Sequence, residues 1–133
     1  MLIPVKHSVA VAIFNGDSVL SVRRPDDDDE LPGIWGIPAG TLRPEETVED
    51  LIKRIGRDKL GVKLTPIRRI NSGKQTRQHY LLEMELWEAA MEGAGYPSHR
   101  QWRWASIGSL RAGAEAGSLC CELVVKSDGR VSP

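Results

Sequence analysis

From Gly33 to Val62 the chain sets a Gly/Pro-rich turn, an amphipathic run and a glycine stop end to end, and the rest must be arranged around that stretch. Thr47, with Asp50 three residues later, makes a capping pair. The hydroxyl satisfies a free backbone N–H, and the carboxylate meets the positive end of a helix. The spacing predicts a helix that starts near Thr47. Val48, Leu51, Ile52 and Ile55 recur at helical spacing and turn inward, while Glu49, Lys53 and Arg57 look outward. Gly61 can take the left-handed conformation that closes a helix. Gly56 is the one weak choice in the run, expected to cost about 1 kcal/mol against alanine in a helix interior.

The flanking sequence supplies strands. Lys6 to Phe14 is rich in β-branched residues and free of breakers, so it reads as a buried strand. Asn15-Gly16-Asp17 signals a hairpin, and Ser18 to Arg23 is its partner strand. His7 reads as a packed or edge histidine, since no second histidine is near in sequence. Arg23 and Arg24 lead into Pro25 and the acid run Asp26 to Glu30, which reads as a solvated, mobile loop. Lys63 to Ile70 is a strand interrupted by Pro66, which implies an edge or a bulge. Asn71 to Lys74 then has turn composition.

His79 to Trp87 alternates, with Tyr80, Leu82, Met84 and Leu86 on a core face and Leu81, Glu83, Glu85 and Trp87 on a wetter one. Glu88 to Arg100 reads as a loop, Gln101 to Trp104 as a short strand, and Ser118 to Val125 as a last helix or strand. Trp102 and Trp104 point to one side, either to stack on a nucleobase or to pack in a core or dimer contact. The tail 126–133 has the composition of a frayed end.

A chain of 133 residues suits a single domain, 1–133. Lys plus Arg number 18 and Asp plus Glu number 18, and this balance argues against a nucleic-acid polymer as partner. No apolar run reaches the length of a membrane span, and Met1 to Lys6 is too short for a signal peptide. The two cysteines, Cys120 and Cys121, are neighbours, which favours reduced thiols and a cytoplasmic setting.

Gly40, Glu46, Arg54, Gly61 and Val62 fall without a gap on the pattern G-x5-E-x7-R-E-U-x-E-E-x-G-U, with U aliphatic. With Trp35 and Pro38 before them, the stretch resembles the box of the Nudix (MutT-like) hydrolase superfamily. Trp104 to Leu110 is similar to the family's passage from a final strand into a short helix. The resemblance implies an α/β fold, an α/β/α sandwich with a mixed central sheet. It also implies a hydrolase of nucleoside diphosphates linked to another moiety, with magnesium or manganese as cofactor if the chain is active and no cofactor otherwise. Pairing into a homodimer is left open.

The chain departs from the pattern at the chemistry. Where the family has R-E-U-x-E-E, this sequence has Arg54, Ile55, Gly56, Arg57, Asp58 and Lys59. Hard divalent ions take oxygen ligands, and two glutamates four apart on a helix lie about 6 Å apart on one side, able to share a metal. Ile55 and Lys59 stand at those positions; one cannot ligate, and the other repels a cation. Asp58, with the Gly40 carbonyl, is a weak metal site. By resemblance, Asp58, Glu46 and Arg54 are the catalytic positions, and Glu46 pairs with Arg54 to tie loop to helix.

For substrate the candidates are Arg23, Trp35, Gly40, Arg57 and Lys59. Arg23, at a strand end, can hold phosphate in a fork of N–H groups. Lys59 has two readings: an ammonium in the space a metal would fill, touching phosphate, or the plainer solvated lysine favoured by a helix end. Between Thr47 and Val62, Lys53, Arg54, Arg57 and Lys59 outnumber Glu49, Asp50 and Asp58. Three functional readings follow. One is a hydrolase impaired or altered by loss of the box glutamates, its metal held by Asp58 with help from Glu45, Glu46, Glu49 or the strand acids Glu83 and Glu85. Another is a non-catalytic module that binds a nucleotide or phosphorylated metabolite. The third is a structural or dimerisation domain that binds no small molecule.

Overall fold

The structure, a computed structural model, describes residues 3–92 and 101–127. Strand β1 (Val5–Ala12) and the two-residue strand β2 (Phe14–Asn15) lead through Gly16, at φ +60°, into β3 (Ser18–Arg23). The hairpin stands where Asn15-Gly16-Asp17 placed it, because glycine takes positive φ without a Cβ penalty. Two short strands follow, β4 (Trp35–Gly36) and β5 (Ala39–Thr41), and then helix α1 (Val48–Arg54). The long strands β6 (Lys63–Thr76) and β7 (Leu81–Glu92) precede β8 (Trp102–Ser106). A 3₁₀ turn at Ile107–Leu110 and helices α2 (Arg111–Glu115) and α3 (Leu119–Ser127) complete the order.

Two sheets result. The first runs β5-β1-β7-β6, and it is mixed because β1 is parallel to β7 and antiparallel to β5. In the second, β3 pairs with β8, β2 and β4. Alternation along β1 decides what lies on each face of the first sheet. Val9 and Val11 pack with Leu51, Ile52 and Ile55 of the α1 layer, while Ala10 and Ala12 join Leu82, Met84, Leu86 and the α3 residues Leu119 and Leu123. The product is the expected α/β/α sandwich. Leu51, Ile52, Ile55 and Leu60 are fully buried, and each such side chain contributes roughly 1.5–3 kcal/mol.

The helix begins as its capping pair predicts: Asp50 N donates to Thr47 Oγ1 at 3.1 Å, and Thr47 N to Asp50 Oδ2 at 3.3 Å. Past Arg54 the winding loosens into a π-helical segment, Ile55–Leu60, which Gly61 closes at φ 68° by donating its N–H to the Gly56 carbonyl. Gly56 is here a requirement, not a weak choice. A Cβ on it would lie 2.7 Å from Leu64 Cγ and 2.8 Å from the Val62 carbonyl. Propensity scales describe exposed helix positions; at a buried one, close packing decides.

Several expectations need correction. Asn71 to Lys74 is strand, paired from Asn71↔Leu86 to Lys74↔Glu83 within β6. Turn composition serves packing there: Asn71 Nδ2 donates to the Leu123 carbonyl at 3.0 Å, and a Cβ on Gly73 would meet Leu123 Cδ2 at 3.0 Å. Pro66 does sit at a register shift on the edge strand. Glu88 to Glu92 extends β7 instead of opening a loop, and 93–100 lie outside the described residues. Lys126 and Ser127 belong to α3, with the Ser127 hydroxyl buried and donating to the Val124 carbonyl, and 128–133 lie outside the described residues. The short helix expected after the final strand is the 3₁₀ turn Ile107–Leu110, which runs on into α2 beyond the expected Leu110.

Candidate functional site

A cleft of about 300 Å³ opens where the end of β3, the approach to β5 and the π-helical turn meet, lined by Arg23, Arg24, Asp28, Pro38, Ala39 and Lys59 among others. Lys59 leaves the last helical turn and donates its ammonium to the Ala39 carbonyl. Its stem is exposed, yet the charged end has lost solvent, and that loss lowers its pKa, helped by repulsion from Arg54 and Arg24. Lys59 is therefore not a freely solvated lysine. It puts a positive charge at the cleft wall where the family pattern would put a carboxylate.

At the family's ligand positions the donor set does not fit a divalent cation. Ile55 is fully buried among Val9, Leu51 and Leu64, and offers no oxygen. Asp58 turns outward, its carboxylate accepting Arg57 Nε–H at 2.9 Å. Gly40 serves packing: a Cβ on it would meet Leu51 Cδ1 at 3.1 Å and Ile55 Cγ1 at 3.2 Å. Among the described residues no three His, Cys, Asp or Glu side chains gather as a metal would need.

The loop is nonetheless tied to the helix. Arg54 Nε–H and Nη2–H donate to the two oxygens of Glu46 at 2.8 and 2.9 Å, and Nη2 also reaches the Thr41 carbonyl at 2.9 Å. Arg43 N–H donates to Glu46 as well, at 3.1 Å. These bonds, led by the Arg54 fork, hold the Glu46 carboxyl down at about 2. The pair positions β5 and α1 against each other, which fixes the wall that carries Ala39 and Lys59.

The remaining candidates scatter. Arg23 lines the cleft beside Lys59, but its guanidinium is bonded to Asp26 and to Gln101. The ring of Trp35 is covered by the Arg103 guanidinium at 3.9 Å. Arg57 lies with Lys53 and Lys63 around a separate hollow by Gly61 and Val62. Glu83 and Glu85 face another cavity of about 420 Å³, where Glu83 meets His7 at 3.1 Å and Lys74 at 3.4 Å. Neither is among the residues of the Lys59 cleft. Trp102 and Trp104 meet edge to face at 6.2 Å and pack against the buried cluster under α1.

Four contributors escaped the sequence reading. Arg24 and Asp28 line the cleft as an i,i+4 ion pair at 2.9 Å. Asp28 also accepts the N–H groups of Leu31 and Glu30, and these bonds, the Leu31 one foremost, lower its pKa. Beside the cleft, a smaller cavity of about 60 Å³ brings Arg24, Arg77 and Cys120 together. The spacing of Arg24 and Asp28 was a usable signal; Arg77 and Cys120 arrive from distant strand and helix, and no local pattern announces them.

The mixed sandwich with a tied loop–helix unit defines a fold class, and the comparisons agree with it. The NUDIX domain model matches residues 4–119, and the chain belongs to that family. No curated protein sequence matches it. Among solved structures it is similar to the MutT protein from Methanosarcina mazei Go1, with TM-score 0.79 and 17% identity over 100% of this chain and 99% of that one. The E. coli ORF135 protein gives TM-score 0.75 and 20% identity over 97% and 94%. An ADP-ribose pyrophosphatase from Streptococcus suis gives 0.65 and 15% over 93% and 92%. At these identities the likeness is one of fold. Nudix hydrolases generally use divalent metals and take small nucleotide substrates. No helix among the described residues is long and apolar enough to cross a membrane.

Proposed function

We propose that the cleft binds a phosphorylated small molecule of the nucleotide class, with Lys59 supplying the positive charge, and that it does so without a divalent ion and without family-type hydrolysis. The contact of Lys59 with the Ala39 carbonyl carries this reading. An ammonium has three N–H donors, so one bond to a carbonyl leaves two for phosphate oxygens. A lysine binds phosphate as a point charge, and the walls of the cleft strengthen that attraction by thinning the solvent. Catalysis by a metal-bound water has little support in the donor set, since Ile55 is buried in the core and Asp58 faces Arg57. Glu83 and Glu85, the strand acids that relocated ligands would draw on, line a different cavity, and both oxygens of Glu46 are taken by Arg54.

Calorimetric titration with ADP tests the reading. Binding is expected to be the same in EDTA as in magnesium, and Lys59→Glu is expected to weaken it by at least about tenfold, the loss of one charge-assisted bond. A panel of nucleoside diphosphate derivatives is expected to release no phosphate with magnesium or manganese. Robust metal-dependent turnover would replace this proposal with the hydrolase reading.

A further inference from the structure

The acid run from Asp26 to Glu30 is exposed except at Asp28, as its composition suggests, but three of its five carboxylates are engaged by arginines. Three arginines stand around the cleft and the small cavity beside it, and each is met by a carboxylate from this one run. Arg23 Nη2 donates to Asp26 Oδ1 at 2.5 Å, Arg24 Nη1 to Asp28 Oδ2 at 2.9 Å, and Arg77 Nη1 to Glu30 Oε2 at 2.7 Å. The second oxygen of Glu30 accepts the Tyr80 hydroxyl at 2.7 Å. Every other acid is turned back onto the fold. Asp27 and Asp29, between them, are exposed and hold no arginine among the described residues.

We propose that this run is a built-in competitor for the ligand's phosphate, occupying the guanidinium forks of Arg23 at the cleft and of Arg77 at the small cavity beside it, and yielding them on binding. The inference rests on the phosphate-binding reading above. Carboxylate and phosphate oxygens suit the same planar fork, so one can stand in for the other. The exchange is feasible because exposed ion pairs are weak, and the Asp26 side chain is 83% exposed. Lys59 differs: its partner is a neutral carbonyl, so it meets the first phosphate charge unopposed. Each further charge on the ligand has to displace a carboxylate before it gains an arginine. The run thereby flattens the preference of the cleft for more highly charged nucleotides.

The test compares two doubly substituted chains of equal charge. Asp26→Asn with Glu30→Gln removes two carboxylates that hold arginines; Asp27→Asn with Asp29→Asn removes two that do not. In ADP titrations at fixed salt, the first is expected to tighten binding about three- to tenfold, the worth of two exposed pairs, and the second to change it much less. Because Glu30 also holds Tyr80, Asp26→Asn alone keeps the test intact should the double variant lose its fold. Equal tightening in both doubles would mean bulk charge, and it would overturn the proposal, as would no change or weakening in the first. ADP binding that depends on Lys59 but ignores the run would sink the competitor alone. Absence of ADP binding in every chain would sink the phosphate-binding reading with it.

Discussion

Leu64 fills the space that a side chain on Gly56 would need: an ideal Cβ there stands 2.7 Å from Leu64 Cγ, with the Val62 carbonyl 2.8 Å away on the same side. The contact locks the end of the helix onto β6. Gly56→Ala is therefore expected to destabilise the fold by roughly 1–3 kcal/mol through overpacking, although alanine is the better helix former. Urea unfolding of the purified chains measures it. An alanine variant as stable as the parent would show that Leu64 can move aside at no cost.

The fork between Arg54 and Glu46 makes stability depend on acid in a definite window. The Glu46 carboxyl is held at about 2, against 4.5 for an unperturbed one, chiefly by the Arg54 hydrogen bonds. A folded-state pKa below the unfolded value means the pair's contribution is whole above about pH 4.5 and is lost as pH falls toward 2. Glu46→Gln is expected to lower Tm by several degrees at neutral pH and to reduce the slope of stability against pH in that window. Denaturation midpoints collected between those limits give the slopes. Identical slopes in parent and variant would place the acid sensitivity elsewhere.

Ile55 occupies a family glutamate position but is fully buried in the cluster under α1. Restoring the acid by Ile55→Glu is expected to cost roughly 3–5 kcal/mol at neutral pH, the penalty of an unpaired buried charge. Burial raises that carboxyl's pKa, so the neutral form predominates on acidification and part of the loss is regained as pH falls. Circular dichroism melts at neutral and mildly acidic pH separate the two. A glutamate variant as stable as the parent at neutral pH would reveal a solvated path to this position.

Glu45 is the one non-glycine among the described residues with positive φ, at 67°. Such a backbone costs roughly 1–2 kcal/mol for a residue with a Cβ. Glycine there gives back part of the gain as unfolded-chain entropy. Glu45→Gly is thus expected to stabilise by about 0.5–1 kcal/mol. Chemical denaturation resolves a change of that size, and a loss of stability would mean that the side chain makes contacts worth more than the strain.

Much of this was legible in the residues. The capping pair, the helix face, the Gly61 stop and the Asn15-Gly16-Asp17 turn are local signals, and local signals survive into the fold because nothing in their surroundings opposes them. Where tertiary packing opposed them, the reading failed. Asn71 to Lys74 carries turn composition, yet β7 offers a continuous ladder and α3 needs the room Gly73 leaves. Gly56 looked weak because its burial could not be read from spacing. The site divides the same way. The mixed sandwich and the Glu46–Arg54 tie followed from the box pattern, and the Arg23–Asp26 and Arg24–Asp28 pairs are local, whereas the Arg77–Glu30 pair depends on distant segments brought together only by the fold.

The ammonium of Lys59 against the Ala39 carbonyl has a further consequence. A recruited ion obeys mass action: its occupancy rises and falls with its free concentration, and with it the affinity for whatever it helps to hold. A tethered cation has no dissociation constant. It is delivered by translation, one per chain, and only deprotonation can remove its charge. On the phosphate-binding reading proposed above, the chain forgoes a water held and acidified beside phosphorus and keeps a cleft whose readiness is the same in a cell rich or poor in divalent salts.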